Sequence, residues 1–267
     1  MSFNPAIAEV SGPDSKAFLQ NLLATDLSKI SNGSGSFACI LNHQGKVKFT
    51  FSLFSYLDSW FISSKEEDLI MLISDLNKYI LRSKVLINIT TKYKRVLIKR
   101  SSDLEIQNNN ISLYLASFAL GDGLFDALFL QSNEGLIENN DMADWDDLLL
   151  SGIPYINHLH AMKYTSSILG LESHGAISNN KGCYPGQEIV NKLSRSGVLK
   201  RCLVLFSFPK GLMISANQEI FCDNEIVGNI INYGEMPYAL GVLLRSYANE
   251  NCYLNDGAQL KLVRIIN

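Results

Sequence analysis

Apolar residues in this chain recur mostly at every second position, in short runs broken by turn residues. Ala6 to Val10 reads as a strand. Gly12-Pro13-Asp14-Ser15 then opens a helix, because Pro13 suits a first helical turn and Phe18, Leu19, Leu22 and Leu23 follow at helical spacing. Phe37 to Leu41 and Val47 to Tyr56 are strands, and Asn42-His43-Gln44-Gly45 joins them as a hairpin. After Trp60-Phe61-Ile62, the residues Leu69, Leu72, Ile73, Leu76 and Ile80 form one apolar face of a helix over 65–81. Strands return at Val85 to Ile89, Arg95 to Lys99, Ile111 to Ala116 and Ala127 to Gln131. Asp141 to Leu150 reads as a helix with acidic residues in its first turn, stopped by Gly152-Ile153-Pro154.

Residues 157–200 are short helices and loops, and strands dominate from Arg201 onward. These are Cys202 to Phe208, Glu219 to Cys222, Ile226 to Tyr233, Tyr238 to Leu244 and Leu260 to Ile266. Short strands at this spacing predict a small β-barrel. The expected class is α+β, with ferredoxin-like α/β layers and a C-terminal barrel. Residues 1–196 would hold two α/β subdomains meeting near 90–110, and 197–267 the barrel.

Composition narrows the function. Hydrophobic residues make up 47% and charged residues 18%, enough for a sizeable core. With 23 basic and 26 acidic residues the net charge is −3, unlike a dedicated nucleic-acid binder. Lys92, Lys94, Arg95, Lys99 and Arg100 read as a solvated basic strand face. The start, Met1-Ser2-Phe3-Asn4-Pro5, lacks the basic and apolar regions of a signal peptide, and no run approaches the ~20 apolar residues of a membrane helix. Cys39, Cys183, Cys202, Cys222 and Cys252 form no CxxC pair, which suits a reducing compartment. A cytoplasmic protein without a membrane partner is expected. His43, His158, His160 and His174 form no HxH-plus-carboxylate or HExxH arrangement; His158 and His160 are spaced to bind metal on a strand, but their segment does not read as one, and Gly33-Ser34-Gly35 lacks the context of a dinucleotide loop. No metal site is expected. Cys39, Cys202 and Cys222 lie in apolar runs and read as core.

One segment stands apart: Lys181-Gly182-Cys183-Tyr184-Pro185-Gly186-Gln187-Glu188. Pro185-Gly186 fits the central positions of a type II turn, with Gly where φ must be positive. A thiol, a phenol, an amide and a carboxylate thus come from one constrained loop, with a helix starting at Gln187. Lys181 and the helix N-terminus would both favour a Cys183 thiolate. Tyr184 could stack on an aromatic ligand, and Gln187 and Glu188 could either bind a ligand or anchor the loop. Lys192, Arg195, Lys200 and Arg201 could meet an anionic tail, an RNA phosphate or only solvent.

This octapeptide resembles the signature of the YgfZ family, which is related in fold to the aminomethyltransferase (T-protein) of the glycine cleavage system. Gly152-Ile153-Pro154, Gly175-Ala176-Ile177-Ser178, Gly197 with Lys200-Arg201, the Gly12 to Leu23 helix and the Leu41 to Lys46 hairpin are similar to further landmarks of that family. The resemblance implies a ring-like arrangement around a central channel holding tetrahydrofolate or a derivative near the signature. It implies a supporting role in iron–sulfur cluster assembly or repair, with iron–sulfur enzymes as partners and a link to tRNA modification. Cys183 would be the functional thiol, and Lys181, Tyr184, Gln187, Glu188 and Arg195 the folate-side residues.

Three departures bear on this. Aminomethyltransferases carry paired aspartates on the strand after the hairpin, whereas Gly45 to Thr50 here holds no carboxylate, so general acid–base help in one-carbon transfer is missing. Leu148-Leu149-Leu150 stands where many relatives carry an Arg and a Glu, a candidate pterin anchor. Asn191-Lys192 replaces an Ala-Arg pair. Two alternatives therefore stand beside the accessory role: a tetrahydrofolate-dependent one-carbon transferase, and a Cys-based docking protein that has lost folate binding.

Overall fold

A computed structural model describes residues 5–99, 113–136, 142–195, 197 and 199–267. Nine strands make one curled sheet in the order β5-β1-β4-β3-β2-β7-β8-β6-β9. They are β1 (Pro5–Ser11), β2 (Ser34–Leu41), β3 (Val47–Tyr56), β4 (Ser59–Lys65), β5 (Leu86–Thr90), β6 (Tyr93–Lys99), β7 (Tyr114–Gly121), β8 (Leu124–Leu130) and β9 (Met142–Ala143). Each half is antiparallel, and the halves meet where β2 and β7 run parallel at Ser34 and Ser117. The curl brings β1 back towards β6. Six further strands close a barrel in the order β10-β13-β12-β11-β14-β15. These are β10 (Arg201–Ser207), β11 (Glu219–Cys222), β12 (Glu225–Tyr233), β13 (Tyr238–Leu244), β14 (Cys252–Leu254) and β15 (Gln259–Ile265).

Helices α1 (Ser15–Leu22) and α2 (Glu66–Ile80) cover one face of the sheet. Their Phe18, Leu19, Leu69, Leu72 and Leu76 pack on Val10, Ala38, Ile40, Phe51, Leu53, Trp60 and Ile62. A fully buried Leu or Phe contributes about 1.5–3 kcal/mol. A second core joins sheet to barrel. Phe37, Cys39 and Leu41 meet Trp145, Leu148 and Leu149 of α3 (Trp145–Ser151) and Leu203, Leu205, Ile231, Leu240 and Val242 of the barrel wall. On β10 the alternate residues Cys202, Val204 and Phe206 fill the barrel interior. Period-two alternation here serves two cores at once. Cys39, Cys202, Cys222 and Cys252 are buried, and Cys183 is exposed.

Several expectations need correction. The expected helix from Asp141 starts later: Met142–Ala143 pairs with β6, and α3 begins only at Trp145. Asp144 sets that start, because its side chain accepts from Asp146 N and Asp147 N in a capping box. Asp141 itself, Arg100 and the first residues of the strand expected from Ile111 lie outside the described residues. Trp60-Phe61-Ile62 belongs to a central strand, β4, between β1 and β3. Arg95 is not on a solvated face. Its side chain is fully buried against Asp126, with a 2.7 Å ion pair. Lys94 and Lys99 do reach partners near the surface, the exposed Glu134 and the half-buried Asp147.

The turn after α3 also buries His160, whose Nδ1 lies 2.9 Å from Asn157 Oδ1. Burial pushes its pKa down to about 4. The unfolded chain therefore binds a proton at His160 that the folded chain refuses between pH 6.5 and 4. This contribution is full above pH 6.5 and falls by up to about 3 kcal/mol as the pH drops through that window. Thermal melts of the natural protein and His160→Gln at pH 7 and pH 4.5 check it. The variant should lose less stability on acidification, and identical losses would refute the assignment.

Candidate functional site

The signature segment is a docked turn. Gln187 N donates to Tyr184 O at 3.2 Å, and Gly186 has φ 82° and ψ 0°, the geometry of a type II turn. Helix α4 (Gln187–Ser194) starts directly after it. The turn lies against the 42–45 hairpin tip. A Cβ on Gly186 would collide with the Asn42 carbonyl oxygen and stand 2.9 Å from Gly45 Cα. Gly45, at φ 70°, faces Ile189 of α4 in the same way. Two glycines thus let two turns meet backbone to backbone.

Lys181 braces the other side of the loop. Its ammonium donates to Gln20 O, Leu23 O and Thr25 O at 2.6, 2.8 and 2.8 Å. These carbonyls lie at the C-terminal end of α1 and just beyond it, where a cation is favoured. Burial pulls its pKa down to about 8, against the pull of Asp26. Its ammonium also sits 5.5 Å from the Tyr184 ring centroid. Gln187 Nε2 closes the loop by donating to Lys181 O at 3.3 Å. Tyr184 is buried, which raises its pKa to about 12, and its hydroxyl has no hydrogen-bond partner among the described residues. Cys183, Glu188 and Arg195 are exposed. Lys181, Tyr184 and Gln187 are therefore drawn together under the loop, while Cys183 and Glu188 face outward.

Two cavities open elsewhere, on either side of Trp145. One, of about 310 Å³, is lined by Arg95, Leu97, Asp144, Asp146 and Glu235. The other, of about 530 Å³, is lined by Lys65, Asp68, His158, Asn157, Asn232 and Tyr233. Trp145 borders both. None of Lys181, Cys183, Tyr184, Gln187, Glu188 or Arg195 lines either one. The Trp145 ring is fixed by its Nε1, which donates to Tyr233 O at 2.8 Å, and carries the Lys65 ammonium at 4.9 Å. Burial lowers the pKa of Lys65, against Asp68 and Glu67. Burial raises that of Asp146, although Met236 N and Glu235 N donate to its carboxylate. Asp68 accepts from His158 N at 3.0 Å and pairs with His158 Nδ1 at 2.9 Å, and both residues line the cavity.

Sequence reasoning missed Lys65, Asp146 and the Asp68–His158 pair. No short spacing links them, since Asp68 and His158 stand 90 residues apart. The hairpin strand, which holds no carboxylate from Gly45 to Thr50, is tied down by a hydroxyl. Thr50 Oγ1 donates to Pro154 O at 3.1 Å and accepts from Ile156 N at 2.7 Å, so this hydroxyl ties β3 to the chain after α3. Leu148 and Leu149 are wholly buried in the core joining sheet and barrel.

No family model matches the chain. The tRNA-modifying protein YgfZ of Photobacterium profundum is 22% identical over 214 residues, covering 73% of this chain and 65% of that protein. The tRNA-modifying protein YgfZ of an Enterobacter species is 23% identical over 226 residues, covering 74% of this chain and 68% of that protein. The chain thus spans about two thirds of the length of these curated relatives. The crystal structure of glycine cleavage system aminomethyltransferase T from Bartonella henselae matches with a TM-score of 0.64 at 14% identity, over 97% of this chain and 82% of that one. The similarity to YgfZ proteins therefore extends well beyond the octapeptide, and the fold is that of the T-protein.

The contact between the two turns gives a test. Gly186→Ala adds a methyl where φ is positive and the Asn42 carbonyl is already in contact. It should lower stability by about 2 kcal/mol or more, read by urea denaturation. Gly182→Ala has open space around it and should stay within about 1 kcal/mol. Equal effects of the two would show that the turns do not meet.

Proposed function

We propose that this chain is a folate-binding accessory protein of the cytoplasm, supporting iron–sulfur cluster assembly or repair and the iron–sulfur enzymes that modify tRNA. The observation that carries the reading is the pair of cavities sharing Trp145. Their volumes lie within the usual range of small-molecule sites, roughly 300–1,000 Å³. Their lining suits a reduced folate. A pterin ring presents an amino group and ring N–H donors, and the carboxylates of Asp144 and Asp146 offer acceptors on one side of Trp145. The indole is buried and carries Lys65 over its ring, so it would supply an apolar wall to the ligand. On the other side Lys65 and His158 would meet the carboxylates of the glutamate tail, against the opposing charges of Glu66, Glu67 and Asp68 on the same wall. When bound, the folate would supply a one-carbon carrier.

The signature loop would act separately, through Cys183, the exposed thiol. Tyr184, Gln187 and Lys181 would hold the loop in shape, and Glu188 and Arg195 would face the partner or the anionic end of a ligand. The names of the relatives support the tRNA link, and the T-protein fold supports the folate. The run Gly45 to Thr50, which holds no carboxylate, favours an accessory role over aminomethyl transfer.

Titration with tetrahydrofolate and 5-formyltetrahydrofolate, followed by tryptophan fluorescence, tests the folate. Saturable quenching is expected, lost in Trp145→Phe and weakened roughly tenfold by Lys65→Met, about 1.4 kcal/mol. A folded protein that binds neither folate at about 1 mM would overturn this half and leave the docking role. Complementation of a strain lacking the protein tests the loop, scored by the activity of an iron–sulfur tRNA-thiolating enzyme. Cys183→Ser should melt like the natural protein, because its side chain is exposed and Ser is nearly isosteric, yet fail to complement. Full complementation would reduce the thiol to a bystander.

A further inference from the structure

The barrel carries three buried cysteines that the proposed function leaves unused, Cys202, Cys222 and Cys252, and two of them lie on neighbouring strands. Cys222 ends β11, and Cys252 opens β14. These strands are antiparallel neighbours, with Ile220 opposite Leu254 and Phe221 opposite Tyr253. Each step forward on one strand is a step back on the other, so the next pair is Cys222 opposite Cys252. Side-chain alternation agrees with this register. Ile220, Cys222, Cys252 and Leu254 all belong to the core inside the barrel, whereas Phe221 is half-buried and Tyr253 exposed. Residues directly opposite on one face of an antiparallel pair have Cβ atoms roughly 4.5–5.5 Å apart. A disulfide needs Cβ atoms roughly 3.5–4.5 Å apart, so closing the bond takes a small approach of the two strands together with rotation of both thiols. Both thiols are free.

We propose that Cys222 and Cys252 form a redox modification site, a thiol pair that oxidant closes into a cross-strand disulfide locking the β11–β14 seam. With hydrogen peroxide as oxidant, one thiolate attacks a peroxide oxygen and becomes a sulfenic acid as water leaves. The second thiolate then attacks that sulfur, the S–S bond forms, and the hydroxyl leaves as a second water. Two thiols and one peroxide give one disulfide and two waters, the sulfurs supplying both electrons.

The location gives the bond leverage. The described ladder pairs β14 with β11 at two positions and with β15 at two, the shortest joins in the barrel. A strand of three residues opens locally more readily than its longer neighbours. A covalent tie there closes a loop of roughly 30 residues. Burial, followed by the nearby Cys222, pushes the Cys252 thiol up to about 11. Few thiolates form at neutral pH, so the pair stays reduced until oxidant is sustained and the seam opens.

The test uses the full chain with Cys183→Ser, which removes the exposed thiol. After hydrogen peroxide treatment and alkylation, peptide mass mapping should find Cys222 linked to Cys252, two hydrogens lighter and reversible by dithiothreitol. The melting temperature should rise by roughly 5 °C or more, and neither Cys222→Ala nor Cys252→Ala should show the rise. Repeating the oxidation with diamide in mild urea removes access as an explanation. Two fully alkylated thiols under those conditions, or either cysteine linked to Cys39 or Cys202 instead, would overturn the proposal.

Discussion

The ion pair between Arg95 and Asp126 holds the parts of this molecule in register. Both side chains are wholly shielded from water, and the guanidinium also donates to Tyr155 Oη at 2.7 Å. Ser52 on β3 donates to the same Asp126 carboxylate. Tyr155 in turn exchanges two hydrogen bonds with Asn232 of the barrel, its N–H donating to Oδ1 at 3.0 Å and its carbonyl accepting from Nδ2 at 2.8 Å. One network therefore spans both halves of the sheet, the chain after α3 and the barrel. Taking away either charge would leave the other uncompensated, a cost of about 3–5 kcal/mol. Burial pushes the Tyr155 hydroxyl up to about 12, so it stays a neutral phenol able to donate and accept at physiological pH.

The cavity walls hang on the same network. Arg95 lines the smaller cavity, and the Tyr155 ring packs against Trp145 at 5.5 Å and Phe37 at 5.3 Å between centroids. Trp145 is held from two directions, by Tyr155 and by the Tyr233 carbonyl. Such a residue cannot swing aside without breaking contacts in a close-packed interior. The cavities are therefore largely preformed, which lowers the ordering cost of ligand binding.

Local chemistry made much of this legible in the sequence. Pro185-Gly186 dictates its own turn, and the 42–45 hairpin does the same. The barrel strands Cys202 to Phe208 and Tyr238 to Leu244 alternate clearly enough to be read. The failures share one cause: a second layer covers what the sequence alone leaves open. Trp60 and Ile62 face the helices while Phe61 faces the other core, so β4 shows no polar face to mark its period. Cys252 to Leu254 is too short for a period at all. Arg95 sits among Lys92, Lys94 and Lys99 in sequence, yet its carboxylate partner comes from β8. That pairing is a tertiary fact. The same holds for Asp68 with His158 and for Asp146 with the 235–236 backbone.

Thr50 ties two elements through one hydroxyl. It donates to the Pro154 carbonyl and accepts from Ile156 N, and its ability both to donate and to accept satisfies both groups at once. The strand after the hairpin is thereby tied to the same chain segment that carries Tyr155. The signature loop packs on the tip of that hairpin through Gly186 and Gly45. The strand thus acts as a strut between the central network and the hairpin tip on which the loop packs. Loop and cavities share no lining residue, yet both rest on one core, which holds Tyr184 and Trp145 alike.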